Sequence, residues 1–514
     1  MKKVLAITLI LVLLVGTLGL TACGETKGEN EVWIGVTNAG FGIEWLEKSI
    51  AEFHELYPEY KVTIHEESPN FDQLAEQQLQ MPSTAPNDIY IISEIWWKTQ
   101  AKKGEFMPLD NVYASDFNED FSIEDAMREA NIAEARINGH YYAINYASTA
   151  SGLIYNKTIA DYYENLSQWG STPKMEVIKE RGTVDMLVQW MEKIEQLSKT
   201  YYNFNTGKPG YYLDGTTAVD VSEGKPAVYP ISYPGMYDYW SNIINTWWAQ
   251  AAGETGFRDF YNYDGPEIYA DQARLKALQA FEKLKVWENS VPGSIEADHI
   301  KAQNEFLRGH AALIPCGDWM YYESKQNAEA WQTEFEMIYL PVPDTSCLAN
   351  RKYIWYSDGG LCVVPNKEGI NMTVVEKFLS YLFSEKGCLN YTEETESMWG
   401  FDGTENPTTN YATQLVEEGA IGTFNKGVMD LVNGSTGQIS IRPSNLDAPN
   451  AVFAYTSGVG GPWPGADISE IRDGTSTAED VFYGIISRVG GETENHDSSS
   501  EWDRWWKIVH VNAQ

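Results

Sequence analysis

Apolar and polar positions near the start of the chain change repeatedly between the period of a strand and the period of a helix. Residues 32–36 form a short apolar run typical of a buried strand, and residues 43–57 place large apolar side chains at helical spacing. Residues 61–65 and 88–92 predict two further strands, with a helix at 71–79 between them. Strand, helix, strand, helix, strand within about 60 residues predicts right-handed crossovers and a parallel sheet.

The same two periods return along the rest of the chain. The later predicted elements are helices at 184–197, 302–308 and 374–383 and buried strands at 311–314 and 361–364. Gly309 is well placed to end the second of these helices. Gly, Asn, Ser and Pro concentrate at 203–225 and 400–450, which predicts insertions or long loops. The pattern indicates an α/β protein.

The N-terminus has the pattern of an export signal. Lys2 and Lys3 precede an apolar run over residues 4–14, which is typical of a signal peptide. The sequence Leu-Thr-Ala-Cys-Gly at 20–24 resembles the bacterial lipobox, in which the cysteine, here Cys23, receives a diacylglyceryl group. An ordinary secretory signal with an incidental cysteine is the alternative. We expect a lipoprotein signal peptide at 1–22, a tether at 23–31 and a lipid anchor at Cys23.

Charge and aromatic content narrow the classes of partner. The chain has 37 Lys and Arg against 73 Asp and Glu, a net charge of −36. Such a surface repels phosphate backbones, so nucleic-acid binding is not expected. Aromatic residues make up 13% of the chain, including 18 Trp and 31 Tyr. Because Trp and Tyr carry a polar tip, many of them are expected on surfaces or in clefts.

Motifs for catalysis, metals and cofactors are missing from the sequence. No nucleophile elbow, HExxH or P-loop occurs, and no histidines or cysteines have metal-ligand spacing. We therefore expect no catalytic residue, no metal and no cofactor. A carboxylate pair for glycoside hydrolysis stays open, since any pair among 73 acids is uninformative. Cys316 and Cys362 lie in apolar strand-like runs, which favours buried free thiols.

Four stretches occur in an order that belongs to a known family. They are residues 50–62 (a helix and strand containing Tyr-Pro-Glu-Tyr), 86–90 with 104–110 (Pro-Asn-Asp-Ile-Tyr and Gly-Glu-Phe-Met-Pro-Leu-Asp), 138–143 with 154–157 (Asn-Gly-His-Tyr-Tyr-Ala and Ile-Tyr-Asn-Lys), and 306–313 with 316–319 (Phe-Leu-Arg-Gly-His-Ala-Ala-Leu and Cys-Gly-Asp-Trp). This set resembles the extracellular solute-binding proteins, family 1, of bacterial ABC transporters, the carbohydrate-binding relatives of maltose-binding protein. The similarity spans residues 32–390.

The resemblance implies a two-lobed periplasmic-binding-protein type II fold, with hinge crossovers and a ligand cleft between the lobes. By analogy, the chain crosses near residues 147–150, near 340–343 and after about 391. The first lobe would then hold 32–147 plus 340–394, and the second lobe 148–339 plus 395–514.

Ligand contacts are expected where strands end, because α/β sheets bind ligands at the carboxyl ends of their strands. Flat aromatic rings suit the faces of a sugar, and polar side chains suit its hydroxyl rim. Trp319 matches the stacking tryptophan of the family and is the favoured residue, although each aromatic candidate could instead be core. The predicted contacts are Asn38, Ser93, Glu94, Trp96, Trp97, Tyr237, Asp238, Tyr239, Trp240, Asp318, Trp319, Asp358, Gly359 and Trp463.

The function that the resemblance implies is capture of a carbohydrate outside the cell membrane and its delivery to membrane-embedded ABC permease subunits. The length of the chain favours an oligosaccharide, and we expect a monomer. Three alternatives stay open: a secreted polysaccharide-degrading enzyme, the same fold binding a peptide or polyamine, and a surface adhesin without transport.

Overall fold

The fold is described from a computed structural model. It describes residues 27–93, 97–127, 132, 135–199, 226–235, 239–262, 270–326, 333–397, 419, 421–439 and 468–489.

The start of the chain builds a parallel sheet flanked by helices, as its periodicity predicts. β1 (Glu31–Thr37) pairs in parallel with β2 (Lys61–Ser68) on one side and with β3 (Ile89–Ile92) on the other. The helices α1 (Glu44–Leu56) and α2 (Phe71–Gln78) connect these strands. The three strands and two helices predicted for this region are therefore confirmed, with ends that differ by a few residues.

Short elements lead from this unit to a long strand. They are α3 (Lys98–Lys102), α4 (Asp110–Tyr113), α5 (Ile123–Ala126) and the hairpin of β4 (Arg136–Ile137) with β5 (His140–Tyr141). β6 (Ala143–Asn156) follows and is buried along its whole length. It pairs antiparallel with β10 (Tyr353–Val363), and these two strands join the two halves of the molecule.

The second half contains the longer helices. Its elements are α6 (Lys157–Glu164), α7 (Met175–Arg181), α8 (Val184–Ser198), β7 (Tyr229–Ile231), α9 (Tyr239–Asn262), α10 (Gln272–Lys283), α11 (Val286–Asn289), α12 (His299–Leu307), β8 (Ala311–Gly317), α13 (Trp319–Gln326) and β9 (Phe335–Ile338). Helix α12 ends just before Gly309, whose φ is +78°, so the predicted helix stop is confirmed.

The chain then returns to the first half and leaves it again. After β10 come α14 (Met372–Leu382), α15 (Glu385–Thr395), α16 (Thr423–Asn433), β11 (Gly437–Ile439), α17 (Ile468–Arg472) and α18 (Ala478–Val489). In the part of the chain that is described, nine strands form one sheet in the order β2-β1-β3-β10-β6-β8-β7, with β11 beside β10 and β9 beside β6.

Helices cover both faces of the sheet in each half. In the first half, the Phe53 ring of α1 meets the Phe378 ring of α14 edge-on at 5.2 Å over one face. In the second half, Trp247 and Trp248 of α9 are both fully buried, and the Trp247 Nε1–H donates to the Pro341 carbonyl at 2.8 Å. The predicted α/β class is confirmed.

The position of the second crossing differs from the sequence-based expectation. Leu340 is buried in the same cluster as Trp247, whereas Cys362 is buried with the first-half residues, so the chain changes sides within β10. We therefore propose moving the lobe boundary from residue 340 into β10. Below, the first lobe means the part built on β1–β3, and the second lobe the part built on β7–β9. Cys316 and Cys362 are buried free thiols, as their apolar surroundings predict.

Candidate functional site

The two lobes meet where several strands end. The carboxyl end of β1 continues into a loop at residues 38–43, which we call the β1–α1 loop. From the other lobe, the carboxyl end of β8 continues through Asp318 into α13, which faces this loop. The hinge strands β6 and β10 run between the two lobes. This junction is the candidate site.

Trp319 is the aromatic side chain at the junction, and its surroundings position its ring. It is half-buried, and a Cβ built on Gly317 would come within 1.9 Å of the ring, so the ring lies directly over that glycine. Tyr239, at the start of α9, meets the Trp319 ring edge-on at a centroid distance of 5.7 Å. The Trp319 Cβ also lies 3.7 Å from a Cβ built on Gly40 of the β1–α1 loop. Trp319 therefore belongs to one lobe and lies beside the β1–α1 loop of the other.

Asp318 is a buried carboxyl group beside this ring. Only 3% of the residue is exposed, and burial raises its pKa to about 7. Its backbone N–H donates to the Ala150 carbonyl of β6 at 3.0 Å, and the Ser397 hydroxyl donates to Oδ2 at 3.2 Å. Oδ1 has no hydrogen-bond partner among the described residues. Asp318 thus bonds to the hinge strand through its backbone and to the segment after α15 through its carboxyl group.

A second carboxyl group reaches across the junction from α13. Burial raises the pKa of Glu323 to about 7, and a backbone hydrogen bond from Gly40 opposes that shift. The Gln303 amide of α12 donates to Glu323 Oε2 at 2.7 Å. One residue earlier, the Tyr322 hydroxyl donates to the carboxylate of Glu44, the first residue of α1. Neither Tyr322 nor Glu323 was singled out from the sequence.

The first lobe contributes a third acidic group. Thr37 at the end of β1 donates its hydroxyl to Asp72 Oδ1, and the backbone N–H of Ser93 donates to the same oxygen at 3.0 Å. Asn38 is half-buried next to this pair, and its N–H donates to the Ser68 carbonyl at 2.9 Å. The predicted residues Asn38 and Ser93 therefore lie together at the ends of β1 and β3, with Asp72 between those ends.

Four predicted residues are placed differently from the expectation. Trp97 is only 5% exposed in a cluster with Phe71 and Phe106, and Trp240 is 1% exposed. The Trp240 ring stacks on Tyr233 at 5.7 Å, so neither tryptophan presents an open ring face. Asp358 and Gly359 lie inside β10, at an irregularity in its register with β6, rather than before a strand. Each tryptophan packs in the core of its lobe, which is the stated alternative for the aromatic candidates.

The other predicted residues lie outside the described part of the chain. They are Glu94, Trp96, Tyr237, Asp238 and Trp463. The structure places Tyr239, Asp318 and Trp319 together in the second lobe, and Asn38 and Ser93 together at the ends of β1 and β3 in the first lobe.

The family model of the bacterial extracellular solute-binding proteins matches residues 48–401, more than half of the chain. The chain belongs to the bacterial extracellular solute-binding proteins. The predicted family is thereby confirmed, and it is a family of binding proteins. No curated protein matches the chain. Among the described helices of this solute-binding protein, none combines the length and the apolar character needed to cross a membrane.

Solved structures share the fold of this solute-binding protein at low sequence identity. One, from a study of xylan utilization by Caldanaerobius polysaccharolyticus, has a TM-score of 0.61 and 14% identity, over 89% of this chain and 100% of that one. A chitin oligosaccharide binding protein has a TM-score of 0.59 and 14% identity, over 90% and 98%. A solute-binding protein of Thermotoga lettingae bound to α-D-tagatose has a TM-score of 0.58 and 15% identity, over 89% and 97%. The solute-receptor fold class is confirmed.

Proposed function

We propose that this solute-binding protein captures a carbohydrate, specifically an oligosaccharide, and delivers it to a cognate ABC permease. The Trp319 ring carries the proposal, because it lies at the junction of the lobes with Tyr239 edge-on beside it. An aromatic face suits the C–H face of a sugar, and the nearby carboxyl and hydroxyl groups suit its rim. The proteins of similar fold named above, for chitin oligosaccharide and tagatose, support a sugar ligand.

The proposed mechanism is closure of the lobes on the ligand. A ligand that contacts Trp319 of the second lobe and Asn38 or Ser93 of the first lobe binds the closed form more tightly than the open form. Its differential affinity shifts the equilibrium toward closure. The closed surface is then what the permease subunits recognise.

A ligand screen tests the carbohydrate proposal. The chain from residue 24 onward contains every described residue and is screened by tryptophan fluorescence and thermal shift against mono- and oligosaccharides, peptides and polyamines. A ligand at 100 times its dissociation constant is expected to add about 2.7 kcal/mol to the free energy of unfolding. Each hit is recovered and checked for cleavage. An uncut oligosaccharide hit supports the receptor, a cleaved one supports an enzyme, and hits restricted to polyamines or peptides contradict the carbohydrate ligand.

We also propose that Cys23 carries a lipid that holds the protein at the outer face of the membrane. The lipobox-like sequence at 20–24 supports this anchor. In cells that make the full chain, Cys23→Ala is expected to lose the lipid and to keep residues 1–22, because cleavage at the lipobox depends on that cysteine. Mass spectrometry of the N-terminal peptide measures both changes. Cys347→Ala, which alters a buried cysteine, is the control, and a wild-type N-terminal peptide without a diacylglyceryl group on Cys23 would contradict the anchor.

A further inference from the structure

Helix α13 of the second lobe makes a set of contacts with the first lobe beside Trp319. The Tyr322 hydroxyl donates to the Glu44 carboxylate. The two partners, Tyr322 and Glu44, are 278 residues apart in sequence. Tyr322 lies about one helical turn along α13 from Trp319. Its contact with the first lobe is therefore separate from the ring that is proposed to stack on the ligand.

The β1–α1 loop is shaped to receive Tyr322. Gly42 has a φ of +66°, and a Cβ built on it would lie 2.2 Å from the Tyr322 hydroxyl oxygen. Glycine is the residue that adopts this backbone without strain, and here it also leaves the space that the tyrosine occupies. The Glu44 carboxylate accepts the Ile43 N–H at 3.0 Å as well, which holds the acceptor in place within the first lobe.

Contacts of this kind depend on closure. The hinge strands β6 and β10 remain paired when lobes rotate, whereas contacts between α13 and the β1–α1 loop separate when the cleft opens. The hydrogen bond is charge-assisted, and such bonds are stronger than neutral ones. Because Glu44 is already oriented by Ile43, little ordering of the acceptor is required when the bond forms.

We propose that Tyr322 and Glu44 form a latch that stabilises the closed lobes and so sets ligand affinity without contacting the ligand. The inference rests on the proposed receptor function. In this role the two are positioning residues: they make the binding-competent form more populated, which raises the apparent affinity for every ligand of the cleft.

The latch is tested first without ligand, by small-angle X-ray scattering of the chain from residue 24. Tyr322→Phe removes only the donor, and Glu44→Ala removes the acceptor; both are expected to increase the radius of gyration. Glu44→Gln keeps an oxygen acceptor but loses its charge, so its increase is expected to be smaller than that of Glu44→Ala. Tyr339→Phe is the matched control, since the Tyr339 hydroxyl donates to the Leu431 carbonyl within the second lobe.

Binding of a glycan hit from the screen gives the second readout. Tyr322→Phe is expected to weaken affinity about fivefold to tenfold, mainly through faster dissociation, since the lost bond belongs to the closed complex. Tyr339→Phe is expected to bind as the wild type does. Unchanged affinity together with unchanged ligand-free scattering of Tyr322→Phe would overturn the latch. If no glycan binds any of these proteins, the carbohydrate proposal fails, and unchanged ligand-free scattering of Tyr322→Phe then overturns the latch separately.

Two glycine substitutions distinguish the loss of the Tyr322 contact from the effect of backbone strain. Gly42→Ala places a methyl group against the Tyr322 hydroxyl, and Gly170→Ala introduces the same residue at a nearly identical φ of +68° with no atom within 4 Å. Both variants carry the strain of an alanine at positive φ. Only Gly42→Ala is expected to increase the radius of gyration. An equal response of the two variants would contradict the proposed role of the loop.

Discussion

Trp319→Ala is expected to weaken glycan binding about 30-fold or more, the effect of truncating a central tryptophan in a binding site. The ring lies over Gly317 and meets Tyr239 edge-on, so its removal takes away the flat surface at the junction. Titration of the same glycan by calorimetry, on protein whose melting temperature has been measured, gives the ratio of dissociation constants.

Trp33→Ala is the matched control for this substitution. Trp33 is also half-buried and stacks on His65 at a centroid distance of 4.2 Å, in the part of β1 remote from the strand's carboxyl end. It is expected to change tryptophan fluorescence and to leave the dissociation constant unchanged. A Trp319→Ala protein that is folded and binds the glycan with wild-type affinity would refute the proposed stacking role.

Asp318→Asn is expected to change the stability of the protein in a pH-dependent way. Burial raises the pKa of Asp318 to about 7 in the folded state from the ordinary value of 3.8. The folded state therefore holds this proton more tightly than the unfolded state, and the stability that depends on Asp318 is lost as the pH rises from about 4 to about 7. Asparagine cannot ionise, so the variant does not share that loss. Tyr391 and Cys316, which face Asp318, have raised pKa values and stay neutral over this range.

Denaturant unfolding at several pH values measures the difference. Between pH 4 and pH 8, the free energy of unfolding of Asp318→Asn is expected to rise by up to roughly 4 kcal/mol relative to that of the wild type, since each unit of pKa is worth about 1.4 kcal/mol. Asp344→Asn is a control of opposite sign, because the hydroxyl of Ser346 and the ammonium of Lys276 lower the pKa of Asp344 to about 2. The effect of Asp344→Asn on the free energy of unfolding is expected to be constant above pH 5. A difference between Asp318→Asn and the wild type that does not vary with pH would contradict the raised pKa.

Local periodicity was enough to predict the elements at the start of the chain. Each apolar run from residue 32 to residue 92 is short, regular and ended by polar or turn residues, so the predicted strands and helices match β1–β3, α1 and α2. The same pattern could not distinguish Trp97 from Trp319. Both tryptophans follow a buried strand, and only packing against Phe71 and Phe106 places one of them in the core.

Long-range contacts explain the rest of the difference between expectation and structure. Tyr322 and Glu44 are far apart in sequence and carry no local signal of their contact. Asp72 lies in the first turn of α2, where the helix dipole alone favours an acidic residue. The local sequence therefore gives no sign of the hydrogen bonds that Asp72 accepts from Thr37 and Ser93. The sequence predicts a strand only at 361–364, whereas β10 begins at Tyr353 and contains Asp358 and Gly359. The apolar pattern misses this first part because a strand that changes partners need not be continuously apolar.

The proposed lipid anchor has a consequence for which lobe lies nearer the membrane. Lys27 donates to both oxygens of buried Asp88 in the first lobe, at 2.7 and 2.9 Å, and Lys367 lies 3.2 Å from the same carboxylate. With Cys23 acylated as proposed, the chain from Cys23 to Lys27 can span no more than about 14 Å. Under that proposal, the first lobe would lie nearer the lipid headgroups than the second lobe. The proposed delivery to a permease would then be a search within the plane of the membrane.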